Sequence, residues 1–175
     1  MSLETLKTKV GLLIEKVNHI KWFKDNISGI SFWNNNTINS ITLDCENFTT
    51  LNSAFSTCGK LNSIYLSNTQ NVANWNCLLL ASNAVRTIET LDFSSAQTID
   101  SGVWNTKLEN LKVAPETIKC NFVCQVKTLT LESAKSILLG LYNYSGTDME
   151  FYYSVTLSDE VISLLEADGN TAPDD

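Results

Sequence analysis

Large apolar residues return along this chain in two distinct periods. In the first twenty residues, Leu3, Leu6, Val10, Leu13, Val17 and Ile20 alternate in steps of three and four. That spacing predicts an amphipathic helix over 1–26, with a heptad seam that places Leu3, Val10 and Val17 at a and Leu6, Leu13 and Ile20 at d. From residue 32 onward the period changes. An apolar residue, two others, an apolar, one other and an apolar recur as Ile38-Ile41-Leu43, Leu61-Ile64-Leu66, Ile88-Leu91-Phe93 and Leu108-Leu111-Val113. A worn copy follows at Val126-Leu129-Leu131 and a last one at Tyr152-Val155-Leu157. Each copy reads as a short strand whose second and third apolar residues point inward and whose intervening residue points out.

The first two copies superpose over a longer unit. Phe32, Asn35, Ile38, Ile41 and Leu43 match Phe55, Cys58, Leu61, Ile64 and Leu66 at an offset of 23 residues; later offsets at the last apolar position read as 27, 20, 18 and 26. One such unit cannot bury its apolar face alone, so the units must stack and share a core. A period in the twenties built on this six-residue core is the mark of a leucine-rich repeat. Phe32, Phe55, Trp75, Trp104 and Phe122 fall on the return limb of their units, where an aromatic would fill the interior.

After residue 131 the period changes again. Ala134, Ile137, Leu138 and Leu141 describe one face of a helix that ends by Gly146. Phe151–Ser158 alternates as a strand, and Ser158-Asp159-Glu160 opens a second helix closed by Gly169. The predicted fold class is therefore α+β. It comprises an N-terminal amphipathic or coiled-coil helix (1–26), a short leucine-rich repeat β-solenoid (30–131), a helix–strand–helix cap (132–169) and a disordered tail (170–175).

The run Ala54-Phe55-x-x-Cys58-x-x-Leu61-x-x-Ile64-x-Leu66 resembles the BspA-type, or Treponema-type, leucine-rich repeat. Leu165-Glu-Ala-Asp-Gly169 through Pro173 is similar to the closing segment of leucine-rich repeat proteins of gut Firmicutes and their phages. The resemblance implies a non-enzymatic interaction or structural protein. It points to a component of a phage tail or baseplate that projects its repeats toward a host surface. A bacterial adhesin or an intracellular binding module is the alternative.

Charge narrows the partners. A net charge of −7 and a pI near 4.7 argue against nucleic acid, whose phosphates need a basic surface. The charge is uneven: residues 1–24 carry five lysines against two glutamates. Such a basic helix suits docking on the acidic body, on a sister chain or on another acidic protein. A homo-oligomer is expected, a trimer being compatible with the broad stripe that Leu12 and Ile14 create. Lys7, Lys9, Lys16 and Lys21 fall at e and g, where identical strands would repel. No leader-like layout opens the chain and no apolar run approaches the ~20 residues that span a bilayer, so manufacture in a bacterial cytoplasm without membrane insertion is expected.

Candidate chemistry is sparse. His19 is the single histidine, so neither a His-based triad nor a multi-His metal site can be assembled. Cys120-x-x-x-Cys124 lacks a second ligand pair. Five cysteines cannot all pair within one chain, and Cys45, Cys58 and Cys77 fall at small core positions, so all are read as reduced. No catalytic residue, metal or cofactor is expected. The outward strand residues form two columns instead: Ser40, Ser63, Thr90, Asn110, Thr128, and beside it Thr42, Tyr65, Asp92, Lys112, Thr130. The second column is the candidate surface for a protein or glycan partner.

Overall fold

The computed structural model describes residues 29–100, 103–105, 107–141 and 152–169. The expected N-terminal helix with its oligomerisation stripe, and the tail, lie outside the described residues. The rest is a β-solenoid with two helices in its C-terminal part. Its strands are β1 (Ser40–Asp44), β2 (Ser63–Ser67), β3 (Thr87–Leu91), β4 (Thr98–Ile99), β5 (Asn110–Val113), β6 (Asn121–Gln125) and β7 (Tyr153–Thr156). The helices are α1 (Leu131–Gly140) and α2 (Asp159–Ala167).

Two parallel ladders run along the solenoid. One is the sheet β1-β2-β3-β5; the other is β4-β6-β7, extended backwards by single bridges from Thr98 to Asn74, Thr50 and Gly29. Parallel strands need a long return connection. Here each return limb carries a rung of the second ladder. The turns stack as well: Phe55, Thr57 and Ser53 donate their backbone N–H to Leu78, Leu80 and Asn76 of the next coil at 2.8–3.1 Å.

In the first sheet Ile41, Ile64, Ile88 and Leu111 align, at spacings of 23, 24 and 23 residues. This corrects the reading of the third copy. Ile88, not Leu91, holds the middle position. The bulge between Ile88 and Leu91 then lets Leu91 pair with Val113. The same period runs through Ile38, Leu61, Val85 and Leu108, and the apparent offsets of 27 and 20 arise from a displaced register. Phe93 lies beyond the strand yet fully buried, its ring 4.9 Å from Trp75 and 6.2 Å from Phe122. Phe55, Trp75, Trp104 and Phe122 fill the interior as expected, while Phe32 is half-buried and stacks on Phe55 at 5.9 Å.

The worn fifth copy forms no strand. Val126 and Leu129 lie buried in the turn before α1, and Leu131 is the first residue of that helix. The Tyr152 copy does form a strand, β7, but it pairs with β6 in the second sheet. α1 ends at Gly140 rather than Gly146. Its Ser133, Ala134, Ile137 and Gly140 face inward, and a Cβ on Gly140 would lie 2.7 Å from Val113 Cγ1. α2 begins as expected: Ser158 Oγ accepts from Val161 N at 3.3 Å, and Asp159 and Glu160 complement the helix dipole. Gly169 then leaves the helix at φ +78°, a left-handed angle that favours glycine.

The helix α1 stands where a fifth strand of the first sheet would stand. Ser133 Oγ accepts from Leu111 N at 2.9 Å and donates to Glu109 O at 3.0 Å; Ser136 Oγ accepts from Val113 N at 2.9 Å. Two serines thus supply the hydrogen bonds that a next strand would give to the outer edge of β5. Leu131–Gly140 is helical because Glu, Ala, Lys and Leu dominate it and Thr130 caps it, where β-branched residues would continue a sheet.

Candidate functional site

The outward face of the first sheet is built by the strand pleat. In register across it stand Ser40, Ser63, Thr87 and Asn110. Beside them Thr42 aligns with Tyr65 and Tyr65 with Glu89, while Lys112 follows Leu111 on β5. Of the expected partner-binding set, Thr42, Tyr65 and Lys112 share this face, with Tyr65 40% exposed. The other two do not. Asp92 lies past the end of β3, where its Oδ1 accepts from Ser94 N at 2.9 Å and from Ser94 Oγ at 2.6 Å, shaping a turn. Glu89 takes its place in the column. Thr130 caps α1, its hydroxyl oxygen accepting from Ser133 N at 3.4 Å. Thr128 likewise leaves the column, donating from its hydroxyl to Leu108 O at 2.6 Å. An even period of 23–24 residues, enforced from Ile64 through Ile88 to Leu111, was the signal that would have found Glu89.

At the C-terminal edge of this face, β5 and α1 enclose a groove of ≈ 650 Å³. Glu89, Lys112, Thr130, Glu132, Lys135 and Leu139 line it, along with the serines that tie α1 to β5. Its charge is mixed. Lys135 pairs with Asp168, the residue that caps the C-terminus of α2, and that hydrogen bond is the main reason its ammonium titrates above the usual lysine range. Leu139 is 65% exposed and supplies an apolar wall. No spacing along the chain marks Glu132, Lys135 or Leu139 as neighbours of Lys112, because that proximity depends on the helix folding back along β5. A smaller depression of ≈ 250 Å³ lies along the second ladder, lined by Asn74, Trp75, Gln97, Thr98 and Asp100.

A column of side chains, half-buried at Asn35 and buried at Cys58, Ser82 and Asn105, holds the turns. Asn35 Oδ1 accepts from Thr37 N at 2.9 Å and from Ile38 N at 3.2 Å. One coil on, Cys58 Sγ lies 3.1 Å from Phe32 O and its backbone N donates to Ser82 Oγ at 3.0 Å. Ser82 Oγ in turn donates to Phe55 O, and Asn105 Nδ2 donates to Ser82 O at 3.0 Å. Cys58 is therefore part of a structural ladder, spaced as the repeats are.

The groove's serine hydroxyls are committed to β5, and among the described residues no histidine, cysteine or aspartate lines it. Elsewhere, burial pushes the thiols of Cys45 and Cys124 up to about 12 and that of Cys120 up to about 11, and it raises Cys58 as well. Such thiols stay protonated and unreactive at neutral pH. All five cysteines are unpaired; four are buried, while Cys77 is half-buried rather than in the core. Among the described residues no three His, Cys, Asp or Glu side chains gather in a metal-binding group. None of the described helices is long and apolar enough to cross a membrane. No family model, curated protein or solved structure matches this chain.

Proposed function

We propose that this chain is a non-enzymatic interaction protein, a BspA-like leucine-rich repeat module that holds a protein or surface-glycan partner against the outward face of its first sheet. The observation that carries this reading is the continuous surface from Thr42 through Tyr65 and Glu89 to Lys112, which runs into the groove beside α1. A tyrosine on a rigid strand adds contact area at low entropic cost, and a mixed charge pair beside it selects register. The groove then receives the edge of the partner, with Leu139 as its apolar contact. The sequence resemblance supports a phage tail or baseplate as the setting, the repeats projecting toward the host.

Immobilised full-length chain, exposed to host envelope fractions and to a glycan array, tests this. Tyr65→Ala combined with Lys112→Ala should weaken retention of the bound species by about tenfold or more, since exposed aromatic anchors dominate such contacts. Undiminished retention by a double variant with unchanged thermal stability would reject this face as the binding surface.

A further inference from the structure

Asp168 and Gly169 form the single Asp-Gly step of this chain, and the sequence contains no Asn-Gly. Such a step is chemically weak. The backbone nitrogen of the following residue can attack the aspartyl Cγ, and glycine, which has no Cβ, presents the least hindered nitrogen. A carbon–nitrogen bond forms, closing a succinimide ring, and one carboxyl oxygen leaves as water together with the amide proton. Water then reopens the ring. Attack at Cγ restores aspartate. Attack at the backbone carbonyl leaves isoaspartate, whose main chain runs through Cβ and Cγ.

The fold holds this step closed. Asp168 caps the C-terminus of α2 at ψ −1°, so the Gly169 nitrogen eclipses Asp168's own nitrogen about the Cα–C bond. To reach Cγ it must eclipse Cβ instead, one tetrahedral position away. The Gly169 N–H is engaged as well, donating to Glu166 O at 3.0 Å. Asp168 Oδ2 accepts from Lys135 Nζ of α1, which holds the side chain toward α1 as an anion. A carboxylate oxygen cannot leave until it gains a proton.

These restraints lie at the surface. Asp168 and Gly169 are both exposed, in the last turn of α2, where helices open most readily. An exposed ion pair such as Lys135–Asp168 is a weak hold. Glycine is nevertheless required at 169, because φ +78° is what ends the helix.

We propose that Asp168 is a self-modification site: opening of the last turn of α2 lets the Asp168–Gly169 step cyclise and pass to isoaspartate, which unfastens α2 from α1. In isoaspartate the carboxylate sits directly on Cα, one methylene shorter, while the main chain is one methylene longer. The group that met Lys135 is thereby withdrawn, and α2 is left to hold by its buried Val161 and Leu165.

Ageing the full chain at neutral pH tests this, with peptide mass mapping and enzymatic methylation of isoaspartate as readouts. Isoaspartate is expected at Asp168, accumulating about tenfold more slowly in the folded chain than in urea. Lys135→Met should raise the folded rate by about threefold and leave the rate in urea unchanged. Asp168→Glu keeps a carboxylate near Lys135 but would have to close a larger, slower ring, so no product is expected there. The isoaspartyl form, separated without denaturation, should exchange the amides of Asp159–Ala167 about tenfold faster than the parent and those of Asn121–Gln125 equally. A folded chain that forms no isoaspartate at Asp168 would overturn the site. Equal rates in the folded chain and in urea, or no effect of Lys135→Met, would overturn the latch. An isoaspartyl form with unaltered α2 exchange would overturn the unfastening.

Discussion

Replacing Ser133 by alanine should detach α1 from the sheet edge that it seals. Ser133 is 3% exposed, and its hydroxyl is the partner of Leu111 N at 2.9 Å and of Glu109 O at 3.0 Å. Glu109 O keeps a second donor, Thr130 N at 2.9 Å, so the carbonyl remains satisfied in the variant. Leu111 N loses the partner that Ser133 supplies. A buried donor left without a partner costs about 1–3 kcal/mol, a substantial share of the ~5–15 kcal/mol that holds a domain folded. For a chain of this size a loss of about 2 kcal/mol lowers the melting temperature by roughly 4–8 °C. Ser163→Ala on α2 is the matched control: its hydroxyl donates to Asp159 O at 2.9 Å on an exposed face, so it should shift stability by no more than about 0.5 kcal/mol. Both substitutions gain the same small helix propensity, which cancels in the comparison. Urea unfolding of the two variants at a common slope measures the difference. If Ser133→Ala proves no more costly than Ser163→Ala, the serine hydroxyls are not what joins α1 to β5.

Other outcomes follow from the same packing. Gly140→Ala should destabilise by about 1–3 kcal/mol in spite of alanine's better helix propensity, because the new methyl meets Val113 Cγ1 at 2.7 Å and Ile118 Cδ1 at 3.1 Å; calorimetry reads the sign. Ala81→Gly should stabilise slightly, by about 0.5 kcal/mol, since Ala81 holds a left-handed φ of 58° on the surface and glycine carries no strain there; chemical denaturation checks it. A thiol reagent at pH 8 should modify Cys77 rapidly and the other four only as fast as the protein opens, as counted by mass. The buried thiols also set an alkaline limit. The folded values of Cys45, Cys120 and Cys124, about 11 to 12, exceed the ordinary 9.0, so the folded state binds more protons between them; their stabilising contribution is full below pH 9 and declines as pH rises toward 12, which unfolding titrations from pH 8 to 11 would record.

The solenoid was legible because its first two units repeat a pattern of both size and spacing: Phe, a small polar residue, then three aliphatics. The third unit misled. With Ile88, Leu91 and Phe93 all apolar, spacing alone accepts Leu91 at the middle position, and only the hydrogen-bonded register, with its bulge, selects Ile88. That single shift moves Asp92 out of the outward face and brings Glu89 into it. Thr130 misled for another reason. Its neighbours fit a strand pattern, but it immediately precedes a run of helix formers, and the hydroxyl does its work as a cap. The groove beside α1 has no sequence signature at all, since Lys112 and Lys135 become neighbours only when a helix lies along a strand edge.

What the chain's own order determined is the repeating coil, for side-chain alternation and a period near 23 leave stacked turns as the only way to bury every aliphatic. It also determined that the last segments are helical, through Thr130, Ser158 and the propensities between. Tertiary structure decided register, and with it which side chains face the same way. It decided how the solenoid stops as well: the edge of β5 is sealed by Ser133 and Ser136, two hydroxyls whose meaning depends on backbone groups more than twenty residues away. Local pattern fixes what each residue prefers, but a hydrogen bond between coils exists only once both coils are in place.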